Sequence, residues 1–283
     1  MKKPKRLNVQ GLARKEPLLM KCILPDTGNV LVSIDLSAGE PTVTSEFSRD
    51  KNYIYATFEG VGKTPFYKDD VLKIDDLYLT VASVSPVGRD EIKANFNYIQ
   101  DMWLKDPEAV KSKLGKTRKL HKMGALGIGY SMGPKKMVRQ FNDAGFKISL
   151  KEAQEFHKEY WDLFAGIKRL SDRLTKQVQI DGYLINPFGY RMTPDPRKAF
   201  NYFIQSSVSA IMHVFGMKLF AAAPWARLIT VIHDEFIVEI PKDRVEEFRI
   251  AKELATASLN EDLKWSVDIR TGFVVGSNWY DAK

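Results

Sequence analysis

Residues 230–240 read TVIHDEFIVEI, with His233, Asp234 and Glu235 at the centre. Two β-branched runs flank a short polar break, the pattern of antiparallel strands paired through a tight turn. Such a turn usually takes Gly or Asn, because its backbone needs positive φ. This break supplies neither. Two readings stay open at this point: a hairpin turn and nothing more, or a hairpin that carries acids for chemistry.

The rest of the chain sets the frame. It has 283 residues, 44% of them hydrophobic, enough to bury a substantial core, so disorder along its whole length is excluded. Lys and Arg number 43 against 35 acids, a net charge of +8, which favours a polyanionic partner such as nucleic acid. Cys22 is the sole cysteine; an internal disulfide framework and a multi-thiolate zinc site are both excluded. The basic start MKKPKRLNVQ leads into no apolar targeting segment. No run of about 18 uncharged apolar residues follows it, and a cytoplasmic chain without a membrane partner is expected.

Residues 30–34, VLVSI, read as a buried strand delivering Asp35 at its end, followed by a looser region to about residue 88. Residues 89–102 read as a helix, 106–133 as a long basic stretch, and PKKMVRQFNDAG as a short helix stopped by Gly145. Ser149 and Glu152 make a capping box that opens one long helix over 149–180, ended by Gly182. YLINPFGYRMT predicts a hairpin about Pro187, Phe188 and Gly189, and 196–222 a helix with Asn201, Gln205 and Ser209 on one i, i+4 line. A helix over 242–259 and a closing strand in SVDIRTGFVV complete the order. Helices among antiparallel hairpins predict an α+β fold.

Asp35 and Asp234 are hard oxygen ligands of the kind Mg²⁺ takes. Arg118, Lys122 and Tyr130 recur at multiples of four along the basic stretch, and cations so placed can grip a triphosphate through charge-assisted hydrogen bonds. Together these are parts of a two-metal phosphoryl-transfer site.

Five segments in order resemble the family A DNA polymerases, the DNA polymerase I type: SIDLSAGE, RKLHKMGALGIGY, AFNYFIQSSVSA, VIHDE and the tail GSNWYDAK. The resemblance implies a palm of antiparallel sheet with helices plus helical fingers, without thumb or exonuclease domains. It places the palm in 1–50 and 149–283 and the fingers in 51–148. It implies two Mg²⁺ ions, with Mn²⁺ as a substitute, held by Asp35, Asp234 and the carbonyl of Leu36, with Glu235 assisting. Lys122 and Arg118 would bind the incoming dNTP, Lys122 also offsetting charge during transfer. Leu126 and Tyr130 would complete the nucleotide face. Glu40 would crowd the sugar 2′ position; single-subunit RNA polymerases usually carry Gly there, so DNA synthesis is implied. Asn201, Gln205, His233 and Arg191 would touch primer-template DNA.

Several positions depart from that pattern. Leu126 stands where the family has Phe or Tyr, and Tyr78, in DDLYLTVAS, where a His normally meets the triphosphate, which predicts one phosphate contact fewer. Gly124, Gly127 and Gly129 each cost roughly 1 kcal/mol of helix propensity, predicting a soft or broken fingers helix. NVQGLAR at 8–14 resembles the stretch leading into the palm, so a separate polypeptide carrying thumb and 3′–5′ exonuclease is expected, as in a split, phage-like polymerase. The alternative is a catalytically degenerate homologue that only binds DNA or a replisome partner. Retention of both acids argues against it, since a buried carboxylate pair without metal is costly.

Overall fold

The computed structural model describes residues 17–282; the stretch 8–14 lies outside the described residues. In chain order, α1 (Pro17–Lys21), β1 (Asn29–Ser37), α2 (Gly39–Ser48) and α3 (Lys51–Ile54) come first, α3 running on as a π-turn over Tyr55–Glu59. The strands β2 (Phe66–Lys68) and β3 (Val71–Lys73) form a small hairpin. Then come α4 (Leu77–Val84), α5 (Arg89–Ala94), α6 (Phe96–Met102), α7 (Pro107–Lys113), α8 (Gly115–Gly129) and α9 (Pro134–Asp143). Next are α10 (Leu150–Leu163), α11 (Ala165–Asp181), the hairpin β4 (Leu184–Ile185) and β5 (Arg191–Met192), and α12 (Ala199–Ala222). Strands β6 (Arg227–Ile232) and β7 (Glu235–Pro241), helix α13 (Val245–Leu263), and strands β8 (Arg270–Thr271) and β9 (Val274–Gly276) close the chain.

Two compact units share these elements, one comprising residues 1–43 and 205–283, the other 44–204. The boundaries expected at 50/51 and 148/149 do not coincide with these divisions, because α9, α10 and α11 pack in one core with α8.

The first unit is built on an antiparallel sheet in the order β6-β7-β1-β8, with β9 also paired to β1. β1 is nine residues long and runs past Asp35 to Ser37, so the acid lies within the strand and not at its end. Its register with β7 pairs Val32 with Val238, Ile34 with Phe236 and Asp35 with Glu235. Alternation sends Val32, Ile34, Phe236 and Val238 to one face. Phe215 of α12 stacks on Phe236 there, at 6.3 Å between centroids. Gly216 allows that approach, since a Cβ on it would sit 2.8 Å from the Phe236 ring. On the other face Leu31 and Ile237 join Met20, Ile232, Trp279 and Ala282.

In the second unit, Tyr53, Leu120, Ile128, Phe141, Phe156, Tyr160 and Phe164 are among the buried residues that join α8, α9 and α10. Leu72, Leu79, Ile99, Trp103 and Val110 form a neighbouring cluster. The looser region expected before residue 88 is instead ordered as α2 to α4 and a hairpin; its polar residues serve as caps, Asp50 for α3 and Asp76 for α4. The Ser149/Glu152 capping box is present, yet the helix it opens stops at Phe164, whose φ of −112° and ψ of 55° break it before α11. The reason is tertiary. Asp50 Oδ2 accepts from the Gly166 N–H at 2.7 Å, and any Cβ at Gly166 would lie 2.8 Å from the Ser48 carbonyl oxygen.

Residues 196–222 are long and apolar enough to cross a membrane by composition, but over half of their most apolar 18-residue window is buried inside the protein, as in a core helix.

Candidate functional site

The hairpin joining β6 to β7 has a two-residue turn, because Ile232 pairs with Glu235. Its first central residue, His233, sits at φ +55°. A non-glycine residue in that region costs roughly 1–2 kcal/mol. The turn geometry is therefore the usual hairpin one, filled by a residue that suits it poorly. Strain of this kind points from structure toward function.

That turn sets Asp234 beside the far end of β1, where the Leu36 N–H donates to the Asp234 carbonyl at 3.0 Å. On the opposite edge of β1, the Gly272 N–H donates to the Asp35 carbonyl at 2.9 Å. Since N–H and C=O of one strand residue point to the same edge, the Leu36 carbonyl faces the side of the His233–Asp234 turn. Gly272 also makes room for the Asp35 side chain: a Cβ there would stand 1.9 Å from Asp35 Oδ1. Asp35 is exposed and Asp234 half-buried, so the cost of burying a carboxylate pair does not arise here and gives no argument against decay. Glu235 differs from both. It is buried and its Oε1 accepts from Ser33 Oγ at 2.6 Å, which turns it back along β1 as a fixed group.

Glu40 lies half-buried in the first turn of α2, after Ala38 reverses the chain at φ +59°. Gln205 is exposed on α12, followed on the same line by Ser209 and His213, both exposed. His213 went unnoticed in the sequence, although its i+8 spacing from Gln205 was the available signal.

In the second unit, α8 is continuous from Gly115 to Gly129, contrary to the break its glycines predict. Two of those glycines serve packing: a Cβ at Gly124 would meet the Phe156 ring at 2.5 Å, and one at Gly127 the Met132 methyl at 2.0 Å. Tertiary contact outweighs propensity. Lys122, Leu126 and Tyr130 line one exposed face, with Leu126 42% and Tyr130 48% accessible. Arg118, one turn before them, is held at Nε by Asp76 Oδ2 at 2.7 Å. Tyr78 lies beneath both cations, its ring centre 5.1 Å from the Arg118 guanidinium carbon and 5.7 Å from Lys122 Nζ. Asp76 was not read from the sequence as part of this face, although an Asp two residues before Tyr78 is a helix-start signal.

Elsewhere in that unit Arg191 on β5 is exposed and stacks on Tyr183 at 3.9 Å, and Asn201 is half-buried at the start of α12. His121, next to Lys122, is wholly buried. Its Nδ1 meets the Thr117 carbonyl at 2.7 Å, so Nδ1 carries the proton, while Nε2 has no partner. Burial pushes its pKa down to about 4. Among the described residues no group of three or more His, Cys, Asp or Glu gathers as a metal cage.

Comparison with known proteins agrees with this architecture. Residues 5–281 match the sequence model of DNA polymerase family A. The chain is 25% identical to a DNA polymerase of Mycobacterium phage L5 over 84% of its own length and 32% of that protein. It is 24% identical to the thermostable DNA polymerase I of Thermus filiformis over 98% of its length and 30% of that protein. The chain thus spans about a third of the curated relatives it matches. A solved structure, the POL domain of Pol1 from M. smegmatis in complex with DNA primer-template and dNTP, superposes with a TM-score of 0.72 at 20% identity, covering 97% of this chain and 45% of that one. With residues 5–281 matched and the same fold recovered, the chain belongs to DNA polymerase family A.

Proposed function

We propose that the chain is the palm and fingers part of a DNA-templated DNA polymerase, transferring nucleotides from dNTP to a primer 3′-OH with two divalent ions. The observation that supports this reading is the hydrogen bond from Leu36 N–H to Asp234 C=O at 3.0 Å, which ties the backbone of Asp234 to the strand residue that follows Asp35. Among the described residues no hydrogen bond or ion pair engages either carboxylate, which leaves their oxygens available to a cation.

The donor set fits Mg²⁺. That ion takes hard oxygen ligands, uses few protein carboxylates and keeps sites for water and substrate phosphate. Asp35, Asp234 and the Leu36 carbonyl would hold it, and Mn²⁺ would suit the same oxygens. Bound there, two such ions supply charge stabilisation for the attacking and leaving oxygens. Glu235, fixed by Ser33, keeps negative charge close to the pair. Lys122 and Arg118 bind the triphosphate, Leu126 and Tyr130 offer apolar surface to the nucleotide, and Glu40 excludes a 2′-hydroxyl. His233, Asn201, Gln205 and Arg191 contact primer-template DNA. The reaction takes place in the cytoplasm, that of the host for a phage protein.

Primer extension with deoxy- and ribonucleotides, with and without candidate partner proteins, tests this. Deoxynucleotide incorporation that disappears in Asp234→Asn is expected. Undiminished extension by that variant, or equal use of ribonucleotides, would sink the assignment.

A further inference from the structure

Resting on the reading of Arg118 and Lys122 as the triphosphate grip, we infer that Asp76 and Tyr78 are positioning residues that hold these two cations ready for phosphate. Arg118 and Lys122 stand one turn apart on the same helix, and like charges at that spacing repel. Two features of α4 offset the repulsion.

The first is Asp76. Its Oδ1 accepts from the Tyr78 and Leu79 N–H groups at 3.0 Å each, and its side chain is only 3% exposed. A carboxylate fixed by its own helix cap is a rigid partner, and it engages Arg118 through Nε alone. A guanidinium has five N–H donors, so the Nη groups remain for an anion while the side chain has already lost its freedom.

The second is Tyr78. The ring packs against the core cluster that includes Tyr160 and Phe156, so its position is set from below. Its face meets both cations within the roughly 6 Å range of a cation–π contact. A histidine at this position would offer one hydrogen bond to phosphate. The tyrosine instead steadies the two residues that carry the charge. The phosphate contact expected to be missing is thus replaced by better order in the remaining two.

The test measures binding to the full chain by calorimetry, using a deoxynucleoside triphosphate, inorganic tripolyphosphate and the unphosphorylated deoxynucleoside. Asp76→Asn keeps a capping oxygen and removes the charge; Tyr78→Leu removes the ring face. Each is expected to weaken triphosphate and tripolyphosphate binding about three- to tenfold and to leave deoxynucleoside binding unchanged. Tyr78→Phe is expected to recover most of what Tyr78→Leu loses, and thermal melts check that each variant folds. Polyphosphate affinities within twofold of the parent overturn the proposal, as does tighter binding in Asp76→Asn, which would make Asp76 a latch. Loss that extends equally to the deoxynucleoside overturns it too, because general loosening of the fold would act that way. Arg118→Ala and Lys122→Ala, run alongside, separate the two ideas. If they weaken polyphosphate binding while the α4 variants do not, only the positioning proposal falls; if they change nothing, the triphosphate reading of α8 falls with it.

Discussion

The hairpin end of the first unit and the exposed face of α8 in the second both present charge, but they hold it differently. Asp35 and Asp234 are placed by backbone hydrogen bonds between strands, and among the described residues no side chain hydrogen-bonds or ion-pairs with their carboxylates. Arg118 and Lys122 are placed by side chains, a capped carboxylate and a packed ring, above a tight aromatic core. Where the backbone sets position, a side chain can be exchanged with little cost to the fold. Where side chains brace one another, function and stability are tied.

Four measurements would break or sharpen that contrast. The largest effect is expected from Asp35→Asn, which should lower the single-turnover extension rate by on the order of 10³-fold. Because the residue is exposed, unfolding free energy should move by no more than about 0.5 kcal/mol. A large stability change would show that the hairpin end is braced after all.

Acid comes next, acting on the α8 side through His121. Its folded pKa of about 4 lies below the ordinary 6.5, so between those values the unfolded chain binds a proton that the folded chain refuses. Stability should therefore fall as pH drops from about 6.5 towards 4, by up to roughly 3 kcal/mol from this residue. Urea unfolding across that range should show a shallower slope in His121→Phe, which keeps the ring stacked on Phe156. An unchanged slope would assign the acid sensitivity elsewhere.

Gly124→Ala gives a smaller effect. Overpacking against Phe156 costs about 1–3 kcal/mol and outweighs the roughly 1 kcal/mol gained in helix propensity. A net loss of up to about 2 kcal/mol is expected in chemical denaturation; a gain would mean that the glycine serves flexibility. Smallest is His233→Gly, which relieves the positive φ at some entropic cost. It should raise stability by about 0.5–1 kcal/mol in the same assay while weakening primer-template affinity. Unchanged affinity would reduce His233 to a turn residue.

Much of this was legible from residues alone. The hairpin about residue 233, the capping box at Ser149 and the stops at Gly145 and Gly182 all follow from local pattern, and the structure keeps them. What stayed hidden depends on partners far along the chain. Nothing near Phe164 announces a break, because its cause is the approach of Asp50, 116 residues from Gly166. The glycines of α8 look like breakers until Phe156 and Met132 are set against them. The candidate acids were readable as residue types. That Asp35 lies exposed within its strand, with Gly272 making room for its side chain, was not, since a lone glycine between two short strands carries no such signal.

The way the units are cut from the sequence bears on how the chain folds. β1 takes its neighbours from residues 235–241 and 270–276, so even the Ser33–Glu235 bond closes a separation of 202 residues. The second unit, by contrast, is one uninterrupted segment. During synthesis the helical segment can therefore gather its core while β1 waits without pairing partners, and long-range strand pairing is the slow, aggregation-exposed step. Refolding should show helix formation well ahead of sheet closure, and a chain cut short of residue 276 should leave the first strand without part of its far edge.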